Sequence, residues 1–148
     1  FKAFFEGLGD APPTDADLRR QLEATPLPVL LEELAHGGGE HGVDVAIVSD
    51  YKNNVAEDKS GKSRAALSAL VNAGCRVRTI SIYPIHHDKI VVSDRETVET
   101  GSFNYSDAAA NKNSENVLVV WKNPDLAKGY LEHWNSRFSR GDDYQTRY

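Results

Sequence analysis

Four polar side chains suited to catalysis or to anion binding fall close together in this sequence: His87, Lys89, Ser102 and Asn104. Their imidazole, ammonium, hydroxyl and carboxamide groups together offer one nucleophile and several hydrogen-bond donors. Charged and neutral donors of this kind bind phosphate oxygens well. The residue types therefore predict a phosphate site.

A β-hairpin would bring these side chains together. His87 and Lys89 lie two residues apart, so on an extended segment they point to the same face. The β-branched run 90–92 predicts a buried strand, residues 94–96 a turn, and residues 97–100 a second strand. This hairpin returns Ser102 and Asn104 beside His87. Gly101 would let a ligand approach the backbone closely, and a short helix over 105–111 would direct its N-terminal amides at the same anion.

The spacing of these residues resembles the HKD motif of the phospholipase D superfamily: His87-x-Lys89, four residues, Asp94, six residues, Gly101-Ser102-x-Asn104. The continuation Asn113-Ser114-Glu115-Asn116 and the later segment Leu131-Glu132-His133-Trp134 resemble the small bacterial endonucleases of that superfamily. The likeness runs from about residue 42 to the end, whereas residues 1–41 diverge: the apolar strand that the family has there is either shortened to 29–31 or missing.

The predicted fold class is α/β, because strand and helix patterns alternate along the chain. Apolar patterns predict strands over 43–48, 77–82 and 115–121, the last of them central, and helices over 63–73 and 124–139, with 50–60 as a polar loop and 141–148 as a polar tail. Gly74 ends the first helix and Pro124 begins the second, whose inward positions are Leu126, Tyr130, Leu131, Trp134 and Phe138. The resemblance implies a mixed β-sheet flanked by helices on both faces. We expect one phospholipase D-like nuclease domain over residues 1–148, with 1–41 as its divergent N-terminal part.

The resemblance also implies a chemistry for each motif residue. His87 would attack phosphorus and form a phosphohistidine, while Lys89, Ser102 and Asn104 would bind the non-bridging oxygens. Glu115 could accept a hydrogen bond from the other ring nitrogen of His87 and fix its tautomer. Asp94 and Gly101 are expected to be structural. For Asp94 the reason is distance, because a fully extended strand would place it about 20 Å from His87.

The superfamily uses two histidines, one from each of two motifs, and this chain carries one motif. The other histidines lack a lysine two residues on: His36, His41, His86 and His133. We therefore expect an obligate homodimer in which a two-fold axis places two copies of His87 at one composite site.

Two rival sites are weaker. Gly61-Lys62-Ser63 precedes a predicted helix as in a P-loop, but Ala56 stands where that motif needs a glycine. A metal bound by His86, His87, Asp88 and Asp94 is disfavoured, because adjacent residues of a strand point to opposite faces. No cofactor and no metal are expected, so activity should survive chelators.

Composition sets broad limits. The 148 residues carry a net charge of −5 and one cysteine, Cys75. The negative charge argues mildly against nucleic-acid binding. However, the middle of the chain is rich in basic residues, which could contact DNA or simply be solvated: Lys52, Lys59, Lys62, Arg64, Arg76 and Arg78. No apolar run approaches the length of a membrane span.

The resulting functional prediction is a metal-independent endonuclease that cuts single- or double-stranded DNA with little sequence preference. The alternatives are a phospholipid phosphodiesterase and a catalytically silent nucleic-acid-binding dimer. The resemblance alone implies a periplasmic or secreted location.

Overall fold

The computed structural model describes residues 44–146, in which strands and helices alternate along the chain. These residues form two compact units. The hairpin unit comprises Lys89–Leu131, and the parallel unit comprises residues 44–88 and 132–146. The predicted α/β class is confirmed, with the described strands arranged as two three-stranded sheets. The divergent segment 1–41 lies outside the described residues, and a single domain over 1–148 stays a prediction.

The parallel unit contains strands β1 (Ala46–Asp50) and β2 (Arg76–Ile80), which pair in parallel. A π-helical turn (Lys52–Ala56) and helix α1 (Lys62–Asn72) connect them. Leu67 and Leu70 form the buried face of α1, as the apolar spacing predicts. The prediction of a plain polar loop over 50–60 was wrong, because part of it is helical.

A short strand, β6 (Asp142–Asp143), pairs antiparallel with β2 and completes this sheet. The sequence indicated only a polar tail over 141–148. Arg78 lies opposite Asp143 in the register, and its Nε donates to Asp143 Oδ1 at 2.7 Å. The strand therefore depends on cross-strand partners that local propensity does not reveal.

Helix α1 has its N-terminus capped by Asp58. Its carboxylate accepts the backbone N–H groups of Gly61 at 2.9 Å and Arg64 at 3.0 Å. A bound phosphate would need amides of this kind, and here they already have an anionic partner. The P-loop alternative at 61–63 therefore gains no support.

The hairpin unit contains β3 (Ile90–Ser93) and β4 (Thr97–Gly101) as an antiparallel hairpin. Strand β5 (Val117–Val120) pairs antiparallel with β4, and the short helix α2 (Asp107–Asn111) lies between them in sequence. Among the strands described, the segment predicted as a central strand over 115–121 is thus an outer strand of this sheet, and β4 is the middle one.

Helix α3 (Pro124–Phe138) begins in the hairpin unit and ends in the parallel unit. Pro124 occupies the first helical position, and Asn123 Oδ1 caps the helix by accepting the Leu126 N–H at 3.0 Å. Leu126 was predicted to point inward, yet it is 36% exposed while Ala127 is fully buried. At this first turn the buried position differs from the predicted one by a single residue, whereas the other positions predicted to face inward are partly buried: Tyr130, Leu131, Trp134 and Phe138.

Three residues, 94–96, connect β3 to β4, since Ser93 pairs with Thr97, and the first two of them, Asp94 and Arg95, have positive φ (52° and 59°). The Glu96 N–H donates to the Ser93 carbonyl at 3.1 Å and closes the turn. These angles match a type I′ turn, which favours Asn or Asp followed by Gly. Asp94 therefore sits where its side-chain type is tolerated, whereas Arg95 occupies a position that suits glycine.

Replacing Arg95 with glycine is expected to raise the free energy of unfolding by about 0.5–1 kcal/mol. The relief of left-handed strain exceeds the extra chain entropy of glycine. Urea denaturation measures this directly. Arg95→Val is the control, since a β-branched residue at positive φ should lower stability, and a result in which both variants match wild type would contradict the turn assignment.

Candidate active site

The predicted site residues are divided between the two units. His87 belongs to the parallel unit, whereas Lys89, Ser102, Asn104 and Glu115 belong to the hairpin unit. His87 is exposed, and Lys89 is only 9% exposed. Strand β3 begins at Ile90, so residues 86–89 are not in a strand. The strand rule that placed His87 and Lys89 on one face therefore does not apply to them.

Four residues of the hairpin unit form a hydrogen-bonded group, the Ser102–Glu115 cluster: Ser102, Asn113, Glu115 and Asn116. Ser102 Oγ donates to Glu115 Oε2 at 2.5 Å and accepts the Asn116 N–H at 3.0 Å. Asn113 Nδ2 donates to Glu115 Oε1 at 2.9 Å. The cluster forms because β4 ends and β5 begins at paired residues, Gly101 and Val117, so the residues just beyond meet.

The cluster holds Glu115 as a carboxylate. The hydrogen bond from Ser102 contributes most to lowering the pKa of Glu115, followed by the bond from Asn113, and the nearby Lys89 charge adds to them. Each carboxylate oxygen can accept more than one hydrogen bond. Glu115 thus retains capacity for a further donor, and its predicted hydrogen bond to His87 stays a prediction.

The Ser102 hydroxyl bonds to Glu115, whereas a phosphate oxygen was predicted as its partner. This hydroxyl carries a single proton, which is directed at Glu115. Contact with a phosphate oxygen as a donor would require the hydroxyl to turn away from Glu115. In the observed geometry the Ser102 hydroxyl bonds to Glu115, and the binding of phosphate by Lys89, Ser102 and Asn104 stays a prediction.

Gly101 meets protein backbone where a ligand was expected. A Cβ at this position would lie 2.1 Å from the Asn116 carbonyl oxygen and 3.0 Å from Val117 Cα. Glycine is therefore required by the close approach of β5. The predicted use of the α2 N-terminus for an anion also gains no support, since the helix has five residues and Ser106 Oγ accepts the Ala109 N–H.

A buried carboxyl group, Glu99, was missed by the sequence analysis. It lies on the middle strand β4, is 8% exposed, and accepts a hydrogen bond from Tyr105 Oη at 3.2 Å. Its neighbour Val98 is also buried, so both faces of β4 are covered. Burial raises the pKa of Glu99, and the same burial, with the Glu99 charge, raises the pKa of Tyr105. Alternation in residues 97–100 indicated a half-exposed strand and gave no sign of this.

Glu99 is expected to make stability fall with rising pH. Because its folded pKa is raised, the unfolded chain releases this proton first, so stability is greatest below the ordinary Glu pKa and declines above it. Glu99→Gln should remove this decline, and its stability relative to wild type should therefore increase between pH 4 and pH 7 in urea titrations.

Tyr105→Phe is the companion variant. It leaves the buried carboxyl without its donor and should cost about 1–3 kcal/mol near neutral pH. If the free energy of unfolding depended on pH equally in wild type and Glu99→Gln, the raised pKa assigned to Glu99 would be contradicted.

A second group of polar residues, the Asp88–His133 cluster, lies in the parallel unit: His86, Asp88, His133 and Arg137. His133 Nε2 is 2.8 Å from Asp88 Oδ2. His86 Nδ1 and Arg137 Nε approach the same oxygen at 3.7 Å and 4.0 Å. Partial burial by itself would raise the pKa of Asp88, but the His133 hydrogen bond and the surrounding positive charges outweigh it and lower that pKa.

The backbone before His87 is also tied down. Asp50, the last residue of β1, is 5% exposed, and its Oδ2 accepts the His86 N–H at 2.7 Å. Its other oxygen accepts the Asn53 N–H at 2.7 Å. Burial lowers the pKa of His86, against the opposing charges of Asp88 and Asp50. The sequence carried no local signal for this anchor.

Residues 44–146 carry neither a metal-binding cluster nor a membrane-spanning helix. No group of three or more His, Cys, Asp or Glu side chains there is arranged to hold a metal ion. No helix in this range is long and apolar enough to cross a membrane.

Comparison with known proteins assigns the family. Residues 30–138 match the family described as "Cardiolipin synthase, PLD-like domain". The chain belongs to this family and thereby to the phospholipase D superfamily, which confirms the predicted membership. The match includes both described units and both of the clusters above.

Individual relatives support the same assignment. The crystal structure of Nuc from Salmonella typhimurium, a phospholipase D family member, is 44% identical with a TM-score of 0.73, covering 80% of this chain and 74% of that one. NucT from Helicobacter pylori is similar in fold alone, at 17% identity and a TM-score of 0.56 over 97% of this chain and 89% of that one.

The curated relatives are longer proteins. "Phospholipase D" of Rickettsia bellii is 37% identical over 99 residues, and that of Rickettsia felis is 34% identical over 96 residues. These matches cover 67% and 65% of this chain but only 46% and 44% of the relatives, so the chain spans less than half their length. Together the comparisons support an enzyme of the phosphodiesterase class.

Proposed function

We propose that this chain is a phosphodiesterase that hydrolyses DNA without a metal ion, through a phosphohistidine formed on His87. The observation that carries the proposal is the Ser102–Glu115 cluster. It fixes an ionised carboxylate with two hydrogen-bond donors, in the part of the sequence that continues the histidine and lysine motif. Lys89 supplies positive charge to this cluster, and His87 lies two residues before Lys89 in the sequence.

The proposed reaction has two displacement steps. The neutral imidazole of His87 attacks phosphorus, the bond to the leaving oxygen breaks, and a second imidazolium protonates that oxygen. Water then attacks the phosphohistidine while the second imidazole takes its proton, and the P–N bond breaks to restore His87. Lys89 and Asn104 offset the charge that develops on the non-bridging oxygens.

The second imidazole is proposed to be the partner subunit's His87. The 148 residues carry one motif, which supplies one nucleophile but no matched acid. A two-fold symmetric dimer supplies the second histidine at the same phosphate. The homodimer with a composite site is therefore part of the proposal.

DNA is the proposed substrate because the hydrogen-bond donors of Lys89 and Asn104 suit backbone phosphate, and neither is arranged to recognise a base. Four of the basic residues that could have contacted DNA have protein partners, among them Lys52, which pairs with Glu57, and Arg64, which donates to the Val55 carbonyl. Arg76 makes a bidentate pair with Asp44, and Arg78 pairs with Asp143. Lys59, just before α1, and Lys62, its first residue, are exposed and suited to contact backbone phosphates.

A phospholipid phosphodiesterase is the second candidate, because the curated relatives are named phospholipase D. A phosphodiester headgroup would react with His87 in the same way, so the substrates differ in what lies beside the phosphate. The periplasmic or secreted location stays a prediction from the family resemblance.

Two parallel assays on the purified chain test these candidates. Nicking of supercoiled plasmid in the presence of EDTA, without hydrolysis of phosphatidylcholine vesicles, is the expected result. Vesicle hydrolysis without nicking would favour the phospholipid candidate. DNA binding with turnover in neither assay would indicate the silent binding dimer, and nicking that requires an added divalent ion would contradict the proposed chemistry.

A further inference from the structure

The segment that carries His87 lacks the support of regular secondary structure. Residues 81–89 are in neither a strand nor a helix, so no ladder of backbone hydrogen bonds holds them. A nucleophile must nevertheless be held within a fraction of an ångström of its productive position. Side-chain contacts with the rest of the parallel unit supply part of this support.

Two carboxylates meet this need, the buried one of Asp50 and the more exposed one of Asp88, one on each side of His87. Before it, Asp50 Oδ2 accepts the His86 N–H at 2.7 Å and ties the segment to the end of β1. After it, the Asp88 side chain is held by His133 Nε2 of α3 at 2.8 Å. The residues flanking His87 are thus fixed to a strand and to a helix.

The electrostatics favour both anchors. A hydrogen bond between an ionised carboxylate and an imidazole N–H or a backbone N–H is stronger than one between neutral groups. Asp88 is held as a carboxylate by its positive surroundings, and Arg137 at 4.0 Å adds to them. Asp50 accepts a second amide, from Asn53, which fixes its orientation.

We infer that Asp50, Asp88 and His133 are positioning residues for His87, holding its backbone from both sides so that the exposed imidazole keeps one direction. The inference rests on the proposed role of His87 and adds three residues to it. None of the three needs to touch substrate.

His133 gives the sharpest test, because its side chain is partly exposed and its loss should not unfold the chain. His133→Ala removes the donor to Asp88, whereas His133→Gln keeps an N–H donor near the position of Nε2. We expect kcat for plasmid nicking to fall about 10–100-fold in His133→Ala, with KM and Tm nearly unchanged, and His133→Gln to recover most of it. Asn135→Ala, an exposed change on the same helix, is the matched control and should behave as wild type.

A readout independent of activity separates this inference from the proposed function. Amide hydrogen exchange of residues 86–88, followed by NMR, should accelerate about tenfold or more in His133→Ala and stay near wild type in His133→Gln. If wild type cleaves neither DNA nor phospholipid, the proposed function fails, while the exchange data still decide the anchoring. Unchanged exchange in His133→Ala, or no recovery in His133→Gln, would overturn the inference.

Discussion

Replacing His87 with alanine is expected to lower the rate of plasmid nicking by about 10⁴-fold or more, because it removes the proposed nucleophile. The side chain is exposed, so the free energy of unfolding should change by less than about 0.5 kcal/mol. Single-turnover nicking with EDTA present, together with urea denaturation, measures both quantities. Cleavage that persists in His87→Ala would rule out the phosphohistidine route.

Mixing subunits tests the shared site separately. Wild type and His87→Ala are co-refolded at known ratios, and a site that needs both histidines gives activity proportional to the square of the wild-type fraction. An equal mixture should then keep about one quarter of the activity, whereas independent sites would keep about one half. Mixtures with Asn135→Ala should show full activity at every ratio. A linear dependence would remove the composite site while leaving the role of His87 intact.

Replacing Gly101 with alanine is expected to destabilise the chain by about 3 kcal/mol or more, near the upper end for overpacking. The added Cβ would lie 2.1 Å from the Asn116 carbonyl oxygen, and backbone cannot rotate aside as a side chain can. Moving that carbonyl also disturbs its hydrogen bond from the Ser102 N–H, which aligns the Ser102–Glu115 cluster. Urea denaturation gives the loss of stability, and nicking assays on the folded fraction should show reduced turnover.

Gly129→Ala is the matched control for this substitution. An added Cβ at Gly129 meets nothing within 4 Å, and the residue lies inside helix α3. Alanine is the better helix former, so this variant should gain about 0.5–1 kcal/mol. If Gly101→Ala cost less than about 1 kcal/mol, β5 would not pack against Gly101 as closely as described.

The sequence alone determined the features that depend on near neighbours. Apolar spacing located helices α1 and α3, and Pro124 and Gly74 marked a helix start and a helix end. The polar turn at 94–96 between two apolar runs indicated the hairpin. The spacing of the motif residues identified the superfamily, because that signal consists only of residue types and their separations.

The tertiary structure decided which polar side chains meet. The Asp50 to His86 contact joins residues 36 apart in sequence, Asp88 to His133 joins residues 45 apart, and Arg78 to Asp143 joins residues 65 apart. Buried Glu99 and the backbone approach at Gly101 likewise depend on what covers β4. Local propensity and periodicity act over only a few residues, whereas these contacts are created by the packing of separate strands and helices, and so only the folded chain specifies them.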